Sequence, residues 1–184
     1  MTTLIAISGR PRASEYDSYW DRYISLISGE DILAVLEQQR RDTLLLLSGR
    51  TEEDGERRYA PDKWSVKELL GHVCDSERIL AYRALRIARA DATPIEGFEQ
   101  DDYVRNAPFN RCSLSDLIED FIAVRRATVS LLRTFDEQAW LRRGTANQKQ
   151  TTVRAIAYVI AGHELHHRRV LETKYFTTAP FKTA

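Results

Sequence analysis

Apolar residues recur along most of this chain at intervals of three and four, the spacing that lines one side of an α-helix. In residues 30–48, EDILAVLEQQRRDTLLLLS, apolar positions at 32/33, 36, 44 and 47 sit among charged ones and predict a first long helix. Residues 64–90, WSVKELLGHVCDSERILAYRALRIARA, open with Ser65 followed three positions later by Glu68, the capping-box spacing of a helix start. After Gly71 this segment contains neither Gly nor Pro, and it is far too long for a strand. A third helix is predicted over 113–135, with Ser113 and Asp116 marking its start, and a fourth over 151–176, TTVRAIAYVIAGHELHHRRVLETKYF. A shorter helix, within YDSYWDRYISLI at 16–27, precedes the first. Strand signals are nearly absent and no internal repeat is visible. Four long amphipathic helices predict an all-α chain folded as a four-helix bundle.

The connections add to this picture. Residues 49–63 join the first two long helices, and 91–112, DATPIEGFEQDDYVRNAPFNRC, join the second to the third. A connection longer than about 20 residues exceeds what a tight antiparallel turn needs. It is long enough to cross the bundle end to end, and Phe98, Asp101, Asp102 and Tyr103 are then candidates to cover one mouth. A solvated crossover without a chemical role is the alternative. The expected division is an N-terminal extension with a short helix (1–29), a bundle domain (30–176) and a tail (177–184).

Composition narrows the function classes. A chain of 184 residues is long enough for one domain with a sizeable core. Lys and Arg number 27 and so do Asp and Glu, so the basic excess of a phosphate-gripping protein is missing and no nucleic-acid partner is expected. Cys74 and Cys112 do not make a secreted disulfide framework. The first residues lack the basic lead-in and apolar core of a signal peptide, and no run approaches the roughly 18 apolar residues that span a bilayer. These features lead to the expectation of a soluble, cytoplasmic protein.

Three of the four histidines, His163, His166 and His167, lie in AGHELHHRRV. At about 100° per residue, Val153, Ile156, Ile160, Val170 and Lys174 form one seam of the fourth helix, and positions 163 and 167 complete it. His163 and His167 therefore stand one turn apart where a bundle would place Leu or Ile, with His166 toward the edge. Buried imidazoles must satisfy both ring nitrogens, and a shared divalent metal does so if the far nitrogen finds an acceptor. Exposed or mutually hydrogen-bonded histidines are the other reading of this spacing. HELHH also matches the zinc-peptidase pattern H-E-x-x-H, but no further ligand follows downstream. His72 lies at the edge of an arc formed by Val66, Leu69, Val73, Leu80 and Ile87, where it can reach the interior from a neighbouring helix. One histidine from the second helix and two from the fourth would make a three-histidine site with open positions, as working metals have. Cys74 points about 200° away from His72 and reads as a packed thiol.

The segments KWSVKELLGHVCDSE, TPIEGFEQDDYV and TVRAIAYVIAGHELHHRRVL, in that order, resemble the DinB/YfiT-like superfamily, on its YfiT-type, bacillithiol-transferase-like branch, over about residues 30–173. The resemblance implies an up-down-down-up four-helix bundle, often a homodimer, holding nickel or zinc through His72, His163 and His167. It further implies thiol S-transfer, with a low-molecular-weight thiol as co-substrate, or metal-dependent hydrolysis of a small molecule. A non-catalytic metal- or ligand-binding protein of the stress response is a third reading. A divalent ion lowers the pKa of a water or thiol brought to it, which serves either reaction. Glu164 and Asp75 are candidate acceptors or proton carriers beside such an ion, or else solvated helix charges. The run of four leucines at 44–47 and the apolar positions of 116–132 exceed one narrow stripe, which a homodimer would cover. The N-terminal helix, through Trp20, Tyr23 and Ile27, is the other candidate cover.

Overall fold

The computed structural model describes residues 9–177. Its helices are α1 (Asp21–Ile24), α2 (Ile32–Leu47), α3 (Glu52–Glu56), α4 (Val66–Ala88), α5 (Gln100–Asn106), α6 (Leu114–Leu132), α7 (Glu137–Leu141) and α8 (Val153–Val170). The four long ones, α2, α4, α6 and α8, begin where a side chain satisfies free backbone amides. Asp31 accepts from Ala34 N, Ser113 from Asp116 N and Thr152 from Ala155 N, while Ser65 and Glu68 form the expected reciprocal box. α2 stops before Gly49, whose φ of 73° suits a residue without a Cβ.

α4 and α2 each pack against both α6 and α8. α2 runs parallel to α8: Gln39 Nε2 donates to the Ala161 carbonyl, and one turn on Thr43 donates to Glu164. α4 runs against α8, since Tyr175 meets Trp64 at one end and His72 meets His163 further in. α4 and α6 start together, where Ser65 bonds to Asn110, and remain paired as far as Arg78 and Asp120. The long helices are thus arranged up, down, down, up. No helix among the described residues is long and apolar enough to cross a membrane.

Several elements depart from the sequence reading. Residues 143–152 form a hairpin, with β1 (Arg143–Ala146) antiparallel to β2 (Lys149–Thr152), so the last helix starts only at Val153. Its turn residues Asn147 and Gln148 both have positive φ, 51° and 60°, as a two-residue hairpin turn of type I′ requires. The crossover holds α5 and is not a plain loop. A π-helical turn, Leu171–Tyr175, ends the last helix and advances the seam by one residue. Tyr175 is buried as a result, like Leu171 at the start of the turn, and Lys174, expected on the seam, is exposed. In α2 the buried stripe is Ile32, Leu36, Gln39, Thr43 and Leu47; Leu44 is only half-buried and Leu45 is 78 % exposed. The N-terminal segment is shorter as an α-helix than expected and packs on α8, with Ile24 and Ile27 in the core.

The core has two apolar halves. One gathers Leu36, Leu80, Ile87, Leu132 and Ile160; the other gathers Leu47, Leu70, Val73, Phe121 and Leu171. Between them the same four helices contribute Gln39, Thr43, His72, Glu77, Arg125, His163 and Glu164, all buried. A polar belt therefore crosses the middle of the bundle.

Candidate metal centre

His72 comes from the middle of α4, and His163 and His167 come from successive turns of α8. His72 and His163 are 2 % and 7 % exposed, and His167 is half-buried. The Nε2 atom of His163 lies 3.1 Å from that of His72 and 3.2 Å from that of His167. With metal–nitrogen bonds of about 2.0–2.1 Å, neighbouring ligand atoms around a tetrahedral ion stand about 3.3–3.4 Å apart. Both spacings from His163 are close to that edge length, and the three ligand atoms lie within 4.8 Å of one another, so they can hold one ion. Without an ion, the one Nε2 position of His163 faces two others and cannot satisfy both.

The surroundings keep the rings neutral, as ligation requires. Burial lowers the pKa of His72 to about 4. Burial also holds His163 and His167 well below the usual imidazole value, and the neighbouring histidines add to the effect. Ser76, one turn from His72, places its hydroxyl 3.5 Å from the far nitrogen, Nδ1. The Nδ1 of His167 is buried without a partner among the described residues. His166 is exposed and lies outside the triad.

The other candidates fall elsewhere. Cys74 is 1 % exposed within the second apolar half, and burial pushes its thiol up. Asp75 faces Arg78 on the bundle surface. Glu164 is not a solvated charge: it is 2 % exposed and accepts from Thr43 on α2. Burial raises its carboxyl, with Arg125 and then Thr43 working against the rise.

Two clefts reach the triad. The larger, about 610 Å³, is lined by His166, His167, Trp64, Asp101 and charged residues that include Arg58 and Lys63. The smaller, about 380 Å³, reaches His163 and Ser76 and is walled by Tyr23, Arg83 and Phe98. Asp101 borders both, so the crossover does stand over the triad; Tyr103, expected with it, is 47 % exposed and packs its ring at a tilt against Phe98. Tyr23 sets its ring edge-on to His163 and His166, at 5.3 and 5.9 Å.

Two glycines make these approaches possible. Each buried triad histidine of the two helices follows a glycine, Gly71–His72 and Gly162–His163. A Cβ at Gly71 would overlap the Phe109 ring, and one at Gly162 would overlap the Tyr23 backbone. The repeated Gly-His pair is a sequence signal that the histidine spacing alone does not use.

The DinB superfamily model matches residues 35–171. The chain belongs to the DinB superfamily. Among solved structures it is similar to YfiT from Bacillus subtilis, described as a probable metal-dependent hydrolase with an unusual four-helix bundle topology. The two share 17 % identity with a TM-score of 0.67, and the match covers 87 % of each chain. At that identity the likeness establishes the fold. No curated protein matches the sequence.

Proposed function

We propose that this DinB-superfamily chain is an enzyme that holds a divalent ion on His72, His163 and His167 and transfers a low-molecular-weight thiol to an electrophilic small molecule. The observation that carries the transfer reading is the place of the triad between two clefts, one opening at His167 and the other at His163. A reaction that joins two molecules needs two approaches, whereas hydrolysis needs one plus water. An all-imidazole donor set suits zinc or nickel. Such an ion, when bound, lowers the pKa of a thiol or water brought to it.

The chain's own groups account for the rest. Arg58, Lys63 and Glu68 give the larger cleft charges of both signs, which suits a polar, zwitterionic thiol. His166, beside His167 in that cleft, offers a ring nitrogen through which the thiol proton leaves to solvent. Sulfur then gives an electron pair to the electrophilic carbon, and the leaving group departs with the pair of the broken bond. Tyr23 and Phe98 restrict water on the electrophile's side.

The test is metal analysis of protein purified without a nickel column, followed by incubation with a panel of low-molecular-weight thiols and an electrophilic reporter. About one transition ion per chain and metal-dependent thiol adducts are expected. Turnover without thiol would replace transfer by the hydrolysis suggested by the description of YfiT, and no turnover would leave a binding protein. His163→Ala should lose the ion and His166→Ala should keep it; the reverse would overturn the ligand assignment.

A homodimer is part of the same reading. Exposed Leu45 and the apolar groove between α4 and α6, lined by Tyr82, Leu85 and Leu131, are not covered by the described part of the N-terminal segment, which packs on α8. Light scattering should give twice the 21.2 kDa of one chain, and the single-chain mass would exclude the dimer.

A further inference from the structure

Among the described residues, Arg83 is the one charged side chain of the smaller cleft that the fold buries, at 3 % exposure. Its Nη2 donates to the Glu96 carbonyl at 2.9 Å, yet its Nε has no acceptor among the described residues. No carboxylate among the described residues pairs with its guanidinium, and burial depresses its pKa unopposed. Burying an unpaired guanidinium is expensive, so its presence calls for a partner supplied from outside.

The position of Arg83 identifies that partner. His72, Ser76, Leu80 and Arg83 follow one another on a single face of α4, from the triad to the far end of the smaller cleft. Ser76 and Arg83 are two turns apart, about 10 Å along the helix. The space between them is bounded by Leu80, Tyr23 and Phe98, and the guanidinium carbon of Arg83 stands 6.0 Å from the Phe98 ring centre.

We propose that Arg83 binds the carboxylate of an organic acid whose reacting end lies at the triad, so that the electrophilic substrate is a small monoanionic acid about as long as this cleft. The inference rests on the reading of the triad as a reaction centre. A guanidinium edge matches a planar carboxylate through two parallel hydrogen bonds. The cleft carries one buried positive charge, with Glu99 and Asp101 exposed at its rim and Arg22 opposite, stacked on Tyr19. That balance favours a single negative charge over a phosphate dianion.

Nitrogen-15 NMR of the full chain, zinc-loaded and metal-stripped, tests this by titration with propionate, inorganic phosphate and neutral propionamide at chloride-matched ionic strength. Propionate should shift the Arg83 Nε–H resonance saturably in both forms, phosphate less, and propionamide not at all. Propionate should also raise the melting temperature of the parent protein but not of Arg83→Met, and Arg83→Lys should weaken propionate about tenfold through loss of the fork. A purely structural strap on the Glu96 carbonyl predicts loss of stability in the variants without any propionate response in the parent. If neither variant folds, the titration of the parent decides. No saturable shift at Arg83, or the same shift with chloride, overturns the proposal. A response at Arg83 without zinc uptake would refute the metal reading alone, and zinc uptake without that response would refute this one alone.

Discussion

Between the two apolar halves of the core lie two polar groups of side chains, one centred on Arg125 and the other on His163. Both are buried and both draw on α4. Arg125, 0 % exposed, donates from Nε and Nη2 to both carboxylate oxygens of Glu77 at 2.8–3.1 Å, and from Nη1 to the Leu36 carbonyl at 3.0 Å. The three imidazoles have no carboxylate partner among the described residues; they face each other, with one long contact to Ser76 and one unpartnered Nδ1. Burial is common to the two groups, and the supply of partners divides them. A polar cluster that closes on itself holds helices together, while one left short of partners is open to a ligand.

Acid should break the comparison most forcefully. In metal-stripped protein the folded imidazoles titrate below the value near 6.5 of the unfolded chain, His72 at about 4. The unfolded chain binds more protons between those values, so stability is present above pH 6.5 and lost as pH falls toward 4. His72 alone accounts for about 3 kcal/mol, and the other two histidines act in the same direction. Glu164, with a raised carboxyl pKa, works against that loss as one group against three. Urea denaturation across this range measures it, and His163→Leu must shrink the loss if the triad is its source.

Next in size is Arg125→Met, which leaves Glu77 buried without its partner and should cost about 3–5 kcal/mol in the same denaturation assay. The double variant Glu77→Leu/Arg125→Met should recover most of that cost. His163→Leu, by contrast, should cost the metal-stripped protein little at neutral pH. If it costs as much as Arg125→Met, the two clusters do not differ as described. A smaller effect is expected from Ser76→Ala, which removes the hydroxyl facing His72 Nδ1 and should weaken metal binding about tenfold, read by chelator competition. Smallest is the exposed Arg78–Asp120 pair: Asp120→Asn should change stability by less than about 1 kcal/mol.

The long helices and the bundle were legible in the sequence because amphipathic spacing and caps are local properties, as Ser65 with Glu68 illustrates. The juxtaposition of His72, His163 and His167 was legible for a related reason. Angles on a helix wheel state which residues share a face, and three histidines on inward faces had few places to go. Other features depend on contacts between distant segments. Nothing local to Tyr23 places it against His163, and Arg83 reads as an ordinary helix cation until the crossover folds over it. The hairpin is not legible in the sequence because four-residue strands give too few alternations, and Gln148 is not a usual residue at positive φ. The π-helical turn shifts the seam from Lys174 to Tyr175 without any sequence mark that periodicity could register.

If the triad is a reaction centre as proposed, the hairpin also bears on how its substrate range can change. Tyr16 of the N-terminal segment bridges to Thr151 on one strand, Ile95 of the crossover bridges to Ala146 on the other, and Asn147 at the turn borders the smaller cleft. Residues 143–152 therefore act as a cassette that couples two walls otherwise far apart in the chain. Lengthening or exchanging that cassette would resize the chamber on both sides at once, while the histidines stay fixed on α4 and α8. On the proposed reading, specificity and metal chemistry would thereby fall to separate, independently variable parts of the chain.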